Sequence, residues 1–97
     1  MASTEELIKQ VARDVVLLLL EKNKAYGDTA NNPPQIFSKL SAREGILARL
    51  DDKLSRVKNK GLNDNTEDTI SDIIGYLILY KVQVLKEELI KKKDKWS

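Results

Sequence analysis

Residues 65–85, NTEDTISDIIGYLILYKVQVL, hold no proline and a single glycine, and their apolar side chains fall on a helical wheel, not on the alternation of a strand. At 100° per residue, Ile70, Ile73, Ile74, Leu77, Val84 and Leu85 gather on one side, as in an ordinary core face. The opposite side is not a solvated face, because Gly75, Leu79 and Val82 continue there from Asp68 and Asp72. Such a helix needs neighbours on two sides, and the rest of a 97-residue chain, or another copy of it, must supply them. Asp68 and Asp72 stand one turn apart, and the pair repels itself unless a cation, a basic side chain or water compensates it.

Two more helices are expected before this one. Ser3 and Glu6 have the spacing of a capping box, so a helix starts near residue 4 and ends near Lys24. Its core stripe is Leu7, Val11, Val15 and Leu18, and Val16, Leu17 and Leu20 make its second half apolar all round, which implies contact with more than one helix or with another subunit. Ser41 and Glu44 repeat the capping box and open a helix that runs to about Lys58, with Ile46, Leu47, Leu50, Leu54 and Val57 as its core face. Gly61 suits the position just past its end, and Asp64, Asn65 and Thr66 offer caps for the third helix. Residues 25–40, AYGDTANNPPQIFSKL, form the irregular stretch: Tyr26-Gly27-Asp28 and Asn31-Asn32-Pro33-Pro34 are turn chemistry, and Ile36, Phe37 and Leu40 are apolar pegs. A loop of this length in so small a chain favours a functional reason for it. Residues 91–97 form a basic tail. The expected fold class is all-α, three helices in a single domain.

Composition narrows the chemistry. There is no cysteine and no histidine, which removes disulfides, thiolate or imidazole zinc sites, thiol nucleophiles and imidazole acid–base catalysis. Any metal would be a hard cation held by carboxylates, such as Mg²⁺. A net charge of +2 makes no large field for nucleic acid. VVLLLL at residues 15–20 is too short to span a bilayer, and MASTEELIKQ lacks the basic segment of a signal peptide, so the expectation is a cytoplasmic protein without a membrane partner.

Among the acidic residues, Glu6 and Glu44 are explained by capping, and Glu67 suits the first turn of helix three, where acidic side chains complement the dipole. Asp68 divides evenly between capping and function, whereas Asp72, too deep in the expected helix to cap it, calls for a partner. Arg43 lies within the apolar sector of helix two and Lys53 at its edge; either can turn inward to meet Asp68 and Asp72, or a phosphate.

Three clusters, EKNKAYGD at 21–28, ARLDDKLSR at 48–56 and EDTISDIIGYLIL at 67–79, together with FSKLSAREGIL at 37–47, resemble the nucleotide modification associated domain 1 family of phages and bacteria. The likeness covers residues 15–85. That family is similar in turn to the all-α nucleoside triphosphate pyrophosphohydrolases of the MazG and dimeric dUTPase type, which pack helical bundles into dimers or tetramers and hold Mg²⁺ on E-x-x-E and E-x-x-D carboxylates. The resemblance implies a MazG-like bundle completed as a homo-oligomer, a nucleotide ligand, metal held by Glu21, Asp68 and Asp72, and nucleotide contacts from Lys24, Tyr26, Lys53 and Arg56. It also implies pyrophosphohydrolase chemistry. The pattern departs at Thr69, which stands where those enzymes have glutamate, and helix two offers Asp51, Asp52 and Lys53 where they have two glutamates. The incomplete carboxylate set opens a noncatalytic nucleotide-binding or sequestering role as the alternative, and a purely structural interaction bundle as a third reading.

Overall fold

In the computed structural model the described residues, 1–33, 40–62 and 69–95, form three helices and no strand: α1 Thr4–Ala25, α2 Ala42–Lys60 and α3 Thr69–Lys95. The chain is all-α. Both expected N-caps are formed. The Ser3 hydroxyl accepts from the Glu6 amide at 3.1 Å, and the Ser41 hydroxyl accepts from the Glu44 amide at 3.2 Å while donating to the Glu44 carboxylate at 3.0 Å. Each thus satisfies an amide that the first turn leaves without an intrahelical acceptor. Gly61 ends α2 with φ 80°, a left-handed backbone that glycine enters at low cost, and its amide donates to the Val57 carbonyl at 2.8 Å.

The third helix runs on through LKEELIKKKDK, the charged last part expected of it, which holds no breaker and whose basic composition suits the dipole of a helix C-terminus. Its described residues begin at Thr69, three positions before Asp72. The proposed caps at 64–66 and the residues Glu67 and Asp68 lie outside the described residues, as do the pegs Ile36 and Phe37; Leu40 is exposed.

The molecule is elongated, 53 × 34 × 24 Å. The longer contact is between α2 and α3; α1 crosses α3 over a shorter length and makes no close backbone approach to α2. The core is correspondingly small: among the described residues the buried apolar side chains are Val15 of α1 and Ala42, Ile46 and Leu50 of α2. Val57 and Ile73, Ile74 and Val84 are half-buried. The expected core face of α3 is only partly covered, with Ile70, Leu77 and Leu85 exposed, and of the α1 stripe Leu7, Val11 and Leu18 remain exposed, as do Leu47 and Leu54 of α2. The periodicity is real, but one chain does not cover all that it marks.

Core substitutions should divide along these lines. Ile46→Ala is expected to cost about 2–4 kcal/mol in chemical denaturation, whereas Leu47→Ala, one residue along on an exposed face, should cost less than about 1 kcal/mol. Ser41→Ala should cost about 1 kcal/mol through loss of the cap.

Candidate functional site

One carboxylate touches all three helices. Asp72 of α3 accepts from the Lys22 ammonium of α1 at 3.0 Å through Oδ1, and its Oδ2 lies 3.0 Å from the Lys53 ammonium of α2. The Asp72 side chain is 15 % exposed and that of Lys53 13 %, while that of Lys22 is 49 % exposed and reaches toward solvent. Burial pushes the Asp72 carboxyl up, but the hydrogen bonds and positive charges of Lys53 and Lys22 outweigh it and hold the group below the usual carboxylate range. Asp72 is therefore ionised at neutral pH, and the three side chains carry a net charge of about +1.

The cluster forms the polar end of a pocket between α1 and α3. Leu18 and Leu19 of α1 face Gly75 and Leu79 of α3 along its apolar wall, and Tyr26 and Tyr76 flank it. Lys22, Asp72 and Arg49 supply its charge. Its empty volume, open mouth included, is about 620 Å³. Gly75 is buried, and a methyl group there would stand in ordinary van der Waals contact with Leu19 Cδ1 at 3.5 Å.

The third wall is the turn after α1. Gly27 and Asp28 adopt φ 67° and 62°, which reverse the chain at the helix end; aspartate is among the few non-glycine residues that tolerate this region. Asn32 donates to the Asp28 carboxylate and locks the turn. Asn31 is buried, and its amide donates to the Leu79 carbonyl at 3.4 Å and to Gln83 Oε1 at 3.2 Å, which pins the turn to α3 and sets Thr29 and Ala30 at the pocket rim. A second cross-link stands at the far end of α3, where Arg43 is ion-paired with Glu87 and lies 5.4 Å from the Tyr80 ring centre.

Of the expected site residues, Lys53 and Asp72 meet directly, and Tyr26 lines the pocket although its side chain is largely exposed. Lys24 and Arg56 are exposed and do not line it. Lys24 stays off the pocket for a geometric reason: it lies about 200° around the helix from Lys22, so only one of the two can face α3. Lys22, Asn31 and Arg49 were not anticipated. Lys22 was findable, since it follows Val15, Leu18 and Leu19 at helical spacing; the pinning role of Asn31 has no local sequence signal. The open choice between Arg43 and Lys53 as partner of Asp72 falls to Lys53, Arg43 being engaged by Glu87.

Of the expected metal ligands, the described residues include Glu21 and Asp72. Glu21 is exposed and makes no ion pair among the described residues, Asp68 lies outside them, and both oxygens of Asp72 face ammonium groups. Among the described residues no three acidic side chains gather to hold a cation. None of the described helices is long and apolar enough to cross a membrane. No family model matches the chain, and no curated protein or solved structure is significantly similar to it.

The ion pairs tie stability to pH in a definite direction. Because folding lowers the Asp72 pKa, its contribution is fully present above the unfolded-state value, near pH 4, and is lost as pH falls through the lower folded value. Asp72→Asn is expected to cost about 2 kcal/mol at neutral pH. Urea titrations of the two proteins should converge as the medium is acidified below that window.

Proposed function

We propose that the pocket between α1 and α3 binds a small phosphorylated ligand of the nucleotide class through cationic side chains, without turnover. The observation that carries this reading is the pair of cationic side chains at one end of an apolar, tyrosine-flanked pocket, where Lys22 and Arg49 line the wall beside the Asp72 carboxylate. Phosphate oxygens suit ammonium and guanidinium donors. The apolar wall and the rings of Tyr26 and Tyr76 suit the flat face of a base. Asp72 then acts as the counter-ion that keeps two lysines in place when no ligand is bound. The resemblance to the nucleotide modification associated domain family supports the same ligand class. Its pyrophosphohydrolase side asks for carboxylates that the described residues do not bring together, which is why binding is preferred to hydrolysis here.

A second reading, a structural bundle in which Asp72 only clasps three helices, is favoured by the pairing of both its oxygens.

Calorimetry with pyrophosphate, ADP and ATP, in EDTA and in Mg²⁺, separates these readings. Binding in EDTA is expected, and Lys22→Ala or Arg49→Ala should weaken it about 10-fold. Asp72→Asn, measured where circular dichroism shows it folded, should tighten it several-fold by removing a negative charge opposite the same cations. Loss of binding in this variant together with a strict need for Mg²⁺ and release of pyrophosphate would establish the hydrolase. Absence of binding by the unaltered protein would leave the structural clasp.

A further inference from the structure

Among the described residues α1 contributes a single buried apolar side chain to the core, Val15, against three from α2, and it makes no close backbone approach to α2. It is held to α3 by the packing of Leu19 near Gly75 and by the ion pair of Lys22 with Asp72, whose lysine is half exposed. A helix with so few buried contacts opens more readily than the rest of its chain.

The pocket brings α1 and α2 to one cavity through two cations. Of the described residues that line it, Arg49 is the one that belongs to α2, and Lys22 is the cation of α1. Arg49 is exposed and makes no ion pair or hydrogen bond among the described residues, so its guanidinium donors are all available. The Lys22 ammonium has three donors and gives one to Asp72 Oδ1. No carboxylate other than Asp72 is among the described residues of the lining.

We infer that a phosphate group bridges Lys22 and Arg49 in this pocket, and that occupancy of the site fastens α1 to α2. This rests on the reading of the pocket as a phosphate site and adds a consequence to it. A guanidinium engages two oxygens of a phosphate side by side, which leaves a further oxygen for the ammonium. Opening of α1 parts Lys22 from Arg49 and breaks the site. The bound anion therefore opposes that opening by a factor of one plus the ratio of free ligand to Kd, about 10-fold at ten times Kd. An anion held by Lys22 alone would travel with α1 and oppose nothing.

Amide hydrogen exchange tests this, with pyrophosphate as the probe, EDTA present, and ionic strength matched by sodium chloride. Calorimetry under the same conditions sets the pyrophosphate concentration at ten times the Kd of each protein. In the unaltered protein the amides of α1 should exchange about 10-fold more slowly with pyrophosphate than without it, and those of α2 and α3 should change less. In Arg49→Ala, compared with itself at ten times its own Kd, the slowing in α1 should disappear, while Arg49→Lys should keep part of it. Bound pyrophosphate without slower exchange in α1, slowing spread evenly over the three helices, or equal slowing in Arg49→Ala would overturn the inference and leave the ligand class of the pocket standing. Absence of pyrophosphate binding would overturn it as well, and would take the ligand class with it where ADP and ATP also fail to bind.

Discussion

The interaction on which the rest depends is the carboxylate of Asp72 held between the ammonium groups of Lys22 and Lys53. The helices α1 and α2 make no close backbone approach to one another, and each meets α3 separately. Asp72 is where their side chains converge. Both ammonium groups meet that one carboxylate, and Lys22 and Arg49 line the apolar pocket beside it.

The small core explains why these polar links matter. With four buried apolar side chains among the described residues, hydrophobic burial holds α2 on α3 but gives α1 little purchase. The position of α1 is set instead by Val15 and Leu19 against the region of Gly75 and by Lys22 on Asp72. The turn that follows α1 is pinned by Asn31 to Leu79 and Gln83. Much of the remaining apolar surface of α1 faces outward. The same helix therefore forms one wall of the pocket and an uncovered edge, at opposite ends of a single stripe.

Local signals read well from the sequence because the interactions behind them are local. The two serine caps and the glycine at 61 each depend on groups within four residues, and the helices appear where those caps put them. The charge partner of Asp72 was legible in part: its need for compensation follows from an acidic side chain on an apolar helix, and Lys53 was among the candidates. Lys22 was passed over for Lys24, although the spacing from Val15 and Leu18 selects it. The wheel marked Leu7, Val11, Ile70 and Leu77 as core, yet they are exposed, because periodicity says which face is apolar and not whether the same chain covers it. Asn31 was seen only as turn chemistry, since its partners lie almost fifty residues away. The metal set of Glu21, Asp68 and Asp72 rests on a motif likeness; of the three, Asp72 meets Lys22 and Lys53, Glu21 is exposed, and Asp68 lies outside the described residues.

The central claim is that Asp72 is a counter-ion to lysines rather than a ligand to a metal. Following the Asp72 side-chain carboxyl carbon by NMR through an acid titration, with and without millimolar Mg²⁺, tests it most directly. The account predicts titration below the usual carboxylate range, with the curve unchanged by Mg²⁺. A carboxyl that titrates at or above that range, or whose resonance moves on addition of Mg²⁺ at neutral pH, would contradict it.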